Sequence, residues 1–158
     1  MGTRADFYVG RGENAEWIGS IAWDGYPSGI KPTSTNKDRW GCSEHEPRPK
    51  GAHLFASADE ATFRDRVEQF FANREDVTRP AEGWPWPWDD SGTTDYAYAF
   101  DGGKVYASCF GSAWWLASRK APDDPDSVRG AKAVFPKMER GRFARPGDKR
   151  SGVIVIEG

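Results

Sequence analysis

At 158 residues, with a formal net charge of −2 and a mean hydropathy of −0.76, the chain fits one domain that buries about two-thirds of its unfolded surface. No apolar run approaches the roughly 20 residues of a membrane helix. The start, MGTRADFYVG, lacks the apolar stretch of a signal peptide, so a cytoplasmic protein with no membrane partner is expected. Cys42 and Cys109 are too few for a disulfide framework, and aromatics at 14% against hydrophobics at 37% point to a core of rings rather than aliphatic chains.

TRADFYVG reads as a strand, with Ala5, Phe7 and Val9 on one face and Asp6 and Tyr8 on the other. After the turn RGEN, AEWIGSIAWD reads as its hairpin partner, with Trp17, Gly19, Ile21 and Trp23 on one side. DGYPSG breaks the pattern, and residues 31–53 have no period and read as a long loop. A helix is predicted from Ala58 to Asn73, with Ser57 as N-cap, Glu60 completing a capping box, and Phe63, Val67, Phe70 and Phe71 as its apolar stripe. The prolines of WPWPW, residues 84–88, impose an extended backbone. Tyr96, Tyr98 and Phe100 alternate with alanines, DGGK turns the chain, and KVYASCF returns as a second hairpin. SAWWLAS holds a further short strand, residues 118–150 form a long polar excursion, and SGVIVIEG ends the chain as a β-branched strand. The fold expected is α+β: a single domain whose antiparallel sheet of about five strands, two hairpins plus the C-terminal strand, carries one amphipathic helix.

Charge is segregated. Residues 81–103 hold five acids and no base, whereas residues 129–150 hold eight bases against Glu139 and Asp148. Beside the acids stand Trp84, Trp86 and Trp88, whose rings could stack on a sugar, a base or a cation. The competing account makes these rings interior filler, with Trp86 or Trp88 the one left at the surface. Asp24, Asp89, Asp90, Asp95 and Asp101 could supply paired carboxylates to a small hydrolase around residues 84–95, although Asp101 and Asp89–Asp90 suit local turn capping equally well. Cys42, His45 and His53 have only one tight ligand pair of a zinc site, and Cys42 or Cys109 with a histidine meets only the composition of a nucleophilic pair. The basic segment 129–150, with Phe135 and Phe143 interleaved among its charges and Arg140, Arg142, Arg145 and Lys149 on one face, would suit a nucleic-acid surface, without any recognisable nucleic-acid motif. Phosphate-binding loops are absent, and no cofactor is expected.

The stretches MGTRADFYVG, WDGYPSGI, GWPWPWDD, TDYAYAFDGGKVYASCFG and KRSGVIVI together resemble a family of small uncharacterised bacterial and phage proteins. The resemblance implies a bacterial or phage setting and carries over no catalytic residue. With no self-consistent catalytic set, the expectation is a non-catalytic protein that binds a protein partner, in such a setting a host defence or nucleic-acid-processing protein. Trp86, Trp88, Asp89, Asp90, Arg140, Arg142 and Arg145 are its candidate contacts.

Overall fold

A computed structural model describes residues 3–30, 54–72, 74–119 and 122–138. Its frame is a mostly antiparallel six-stranded sheet in the order β3-β2-β1-β4-β5-β6, with strands β1 (Ala5–Val9), β2 (Glu16–Ile21), β3 (Val77–Thr78), β4 (Tyr96–Asp101), β5 (Lys104–Cys109) and β6 (Trp115–Leu116). The two predicted hairpins, β1–β2 and β4–β5, are both present and join through a parallel pairing of β1 with β4, Ala5 opposite Tyr96. In the second hairpin Gly102 and Gly103 both take positive φ, 60° and 85°, which a tight turn matched to the strand twist requires. The C-terminal strand expected over SGVIVIEG and the loop expected at residues 31–53 lie outside the described residues.

After a single helical turn, α1 (Pro27–Ile30), the main helix α2 (Glu60–Ala72) lies across one face of the sheet. Its predicted stripe, Phe63, Val67, Phe70 and Phe71, is buried against Phe7, Ile21, Tyr98 and Phe100. The cap differs from expectation. Asp59, not Ser57, accepts the backbone N–H of Thr62 at 2.8 Å, and that bond holds its carboxyl below the ordinary value. Ser57 is buried and donates instead to the Leu54 carbonyl at 2.7 Å.

The predicted face assignment of β2 is corrected by a bulge. Phe7 pairs with Gly19 but Tyr8 pairs with Trp17, so Ile18 is the extra residue. Two residues opposing one reverses the side on which the strand's side chains point. Gly19 and Ile21 therefore face α2 while Trp17 joins Tyr8 on the opposite face. Gly19, at φ 154°, is required there: a Cβ would sit 2.5 Å from the Phe71 ring. Trp23 lies beyond the strand and is exposed.

The other face of the sheet is also covered. Tyr8, Trp17, Ala97 and Ala99 meet Trp84, Trp86, Phe135 and Met138 in a second core. The alternation of β4 explains the division, since its tyrosines and Phe100 fill the helix side and its small alanines leave room for indoles on this one. Part of the expected excursion packs here too. Residues 131–138 are strapped down by Ala133 N–H on the Gly111 carbonyl at 3.2 Å and by Met138 N–H on the Asp89 carbonyl at 2.5 Å. Two layers flank one sheet, and they separate what the aromatic motif does from what it leaves open.

Candidate functional site

The tryptophans of WPWPW are largely interior. Trp84 is 7% exposed, meets Trp17 edge-on at 5.1 Å, and donates its Nε1–H to the Trp88 carbonyl at 2.6 Å. Trp86 is 9% exposed and stacks on half-buried Trp88 at 5.8 Å. Alternation with proline sets this arrangement, because each Pro fixes φ and denies the segment a ladder hydrogen bond, leaving the rings to anchor it.

The second core is built around one carboxylate. Asp6, which β1 alternation turns away from α2, is fully buried. It accepts the Ser20 hydroxyl at 2.5 Å, the Ser91 hydroxyl at 2.5 Å and the Trp86 Nε1–H at 2.7 Å, with the Thr94 hydroxyl nearby. The donors are backed by others: Trp17 Nε1–H donates to Ser20 at 2.9 Å, Trp88 Nε1–H donates to Thr94 at 2.9 Å, and the Tyr8 and Ser91 hydroxyls share a 2.6 Å bond. Burial pushes the Asp6 carboxyl above its ordinary value against the pull of these bonds, and burial followed by the Asp6 charge pushes the Tyr8 phenol well up. A carboxylate so enclosed has no approach for a substrate, and its role is to tie residues 86–94 to the sheet.

The remaining acids of the motif are engaged locally. Asp90 caps the turn at Ser91–Thr93 through Gly92 N–H at 2.8 Å and lies 3.7 Å from Lys137. Asp95 accepts the backbone N–H of Arg4 at 2.8 Å, and Asp101 pairs with Arg11 at 2.9 Å. Asp89 is exposed, with its carbonyl holding Met138. Asp24 stands at φ 60° and accepts from the Tyr26 hydroxyl at 3.3 Å. The sheet edge near Trp23 is fixed by the buried pair Arg74–Asp76 at 2.7 Å, and Asp76 also accepts the Ala22 and Trp23 amides at 3.0 and 2.9 Å. Burial pushes the Asp76 carboxyl up, but Arg74 and the two amides outweigh it and hold the group below its ordinary value.

Of the other candidates, Cys42, His45, His53, Arg140, Arg142, Arg145 and Lys149 lie outside the described residues. Cys109 is half-buried beside Tyr96, and burial raises its thiol. Among the described residues no group of three or more His, Cys, Asp or Glu is placed to hold a metal ion, and no helix is long and apolar enough to cross a membrane.

Sequence reasoning missed the most exposed apolar side chains. β5 ends at Cys109, one residue before the predicted strand does, and Phe110 turns out at φ 50° with 57% of its surface in water. Gly111 follows at φ 74°. The adjacent Phe-Gly was the available signal, since Gly after an alternating run marks a left-handed exit. Phe110 and Val134, itself 54% exposed, stand in an open groove of 860 Å³ that also has Glu13, Asp90, Lys132 and Lys137 in its walls. On the other flank of residues 136–138, Trp17, Pro80, Pro136 and Met138 line a recess of 430 Å³. No protein-family model, curated protein or solved structure matches the chain.

Proposed function

We propose that this chain is a non-catalytic binding protein of the bacterial or phage kind its motifs resemble, acting in the cytoplasm on a host protein that seats in the Phe110–Val134 groove. The observation that carries the reading is Phe110. A non-glycine residue in the left-handed region costs about 1–2 kcal/mol, and an exposed ring gains nothing from burial. Strain held at an exposed aromatic marks a contact site. The groove joins the apolar side chains of Phe110, Val134 and Phe135 to polar and charged ones, the mixed composition of a protein interface. Its rim charges, Glu13 and Asp90 against Lys132 and Lys137, cancel, which favours a protein surface over a polyanion. The same chemistry weighs against the hydrolase reading, since Asp6 is sealed and Asp90 and Asp95 are committed to local bonds.

The test is capture from a bacterial lysate by wild type and by Phe110→Ser/Val134→Ser, followed by calorimetric titration of the captured protein in pure form. The reading expects the double substitution to weaken the pure pair at least about tenfold, as for a central interface anchor. Equal affinity of both chains overturns it. Binding only to oligonucleotides, with a steep loss on added salt, replaces it with the nucleic-acid reading.

A further inference from the structure

The aromatic motif raises the choice of sugar, base or cation, and the fold places a cation on it. The Arg4 guanidinium carbon lies 5.4 Å from the Trp86 ring centre and 5.5 Å from that of Trp88. These rings are fixed before any occupant arrives. Each indole N–H is spent inward, on Asp6 and on Thr94, and the two rings stack on each other, so the surface left to the Arg4 side is negative π density without a donor. Asp95 supplies the countercharge, but at 4.0 Å from Arg4 Nη1, the outer limit of an ion pair. Among the described residues the Arg4 guanidinium makes no hydrogen bond, and its side chain is 39% exposed. Its backbone, by contrast, is anchored: Arg4 N–H donates to Asp95 at 2.8 Å, and Tyr96 N–H donates to the Arg4 carbonyl at 3.1 Å. The side chain is therefore free to leave without disturbing the sheet.

We propose that Trp86, Trp88 and Asp95 form an exchangeable site for organic cations, quaternary ammonium or guanidinium head groups, which Arg4 occupies in the free protein. Because the occupant is held by ring faces and charge rather than by directed hydrogen bonds, a trimethylammonium group with no N–H donor fits it as well as a guanidinium does. A tethered competitor acts at an effective concentration in the millimolar range, so Arg4 sets the threshold an outside ligand must exceed. The site is independent of the Phe110 groove.

The experiment follows the indole N–H resonances of Trp86 and Trp88 while choline, ethylguanidinium and the neutral isostere 3,3-dimethylbutanol are titrated into wild type, Arg4→Ala and Arg4→Gln. Both cations are expected to bind the two variants saturably and about tenfold tighter than wild type, with the alcohol failing to shift either resonance. Asp95→Asn in the Arg4→Ala background is expected to weaken the cations several-fold. A peptide bearing trimethyl-lysine that binds more tightly than choline assigns the head group to a protein side chain, and equal binding assigns it to a free small molecule. The proposal is overturned by equal binding of the alcohol and choline, or by saturable binding in the variants with none in wild type. The first removes cation selectivity, and the second makes Arg4 a permanent part of the core. Absence of binding in folded Arg4→Ala and Arg4→Gln overturns it as well.

Discussion

Asp6→Ala removes the acceptor on which the second core converges. Three buried donors lose their partner: the Ser20 hydroxyl, the Ser91 hydroxyl and the Trp86 Nε1–H. The Ser91 hydroxyl can turn to the Tyr8 oxygen 2.6 Å away, but the buried Tyr8 hydroxyl then loses its own acceptor, so one donor of that pair stays orphaned. Ser20 already accepts from Trp17, and the indole of Trp86 is fixed in the second core by stacking on Trp88, so neither of these has an alternative. An orphaned buried donor costs about 1–3 kcal/mol, which gives about 3–9 kcal/mol for the three. Relief from burying a charge returns part of this, and the vacated space costs a little more, leaving a net loss of about 3–5 kcal/mol. For a domain of this size that lowers the melting temperature by roughly 10 °C. Urea denaturation followed by tryptophan fluorescence, with thermal melting alongside, measures it. A loss below about 1 kcal/mol, within the range of an ordinary surface change, would show that the donors find water or one another and that Asp6 is not the anchor.

The two buried carboxyls carry opposite pH signatures. The Asp6 value is raised on folding, so its contribution is complete below the unfolded carboxyl value and is lost as pH rises through the folded one; wild type should lose stability relative to Asp6→Asn on going from pH 4 to pH 8. The Asp76 value is lowered, so its contribution is present above the unfolded value and disappears as pH falls through the folded one. Asp76→Asn should therefore cost about 3 kcal/mol near neutrality and progressively less in acid, as read by urea midpoints at stepped pH. Gly19→Ala, which drives a Cβ to 2.5 Å from the Phe71 ring, should cost about 2–3 kcal/mol in the same assay. Phe110→Gly relieves the left-handed strain at φ 50°, so it should leave stability unchanged or raise it by up to about 1 kcal/mol while weakening the partner complex. A matched loss of stability and affinity would make Phe110 a folding residue.

Much of this architecture was legible because it rests on periodicity. The stripe of α2, the alternation of β1 and β4, and Gly102–Gly103 each encode their structure locally. The misreadings arose where a tertiary contact decided. Alternation put Trp17 on the side of Ile21, but the bulge at Ile18 reverses the strand, and Phe71 pressing on the backbone beside it explains why residue 19 is a glycine. Ser57 and Asp59 are both competent caps by composition, and burial of Ser57 against Leu54 removes it from the choice. The polar composition of residues 118–150 placed Phe135 on a basic surface and passed over Met138, yet both are buried anchors that dock residues 131–138 on the sheet. The motif rich in tryptophan and aspartate suggested a site through residue type, yet most of its polar atoms meet one another: indoles and hydroxyls converge on Asp6, a residue eighty positions earlier than Trp86. Phe110 shows the converse. Its type reads as core, and only its φ and exposure mark it as a contact.

Hydrogen–deuterium exchange of wild type with and without its captured partner tests the division of labour most directly. The account predicts new protection confined to residues 110–111 and 132–137, with residues 84–88 already slow in the free protein and unchanged on binding. Protection gained at 84–88 with none at the groove would contradict it, and would return the tryptophan motif to the role of partner-binding face.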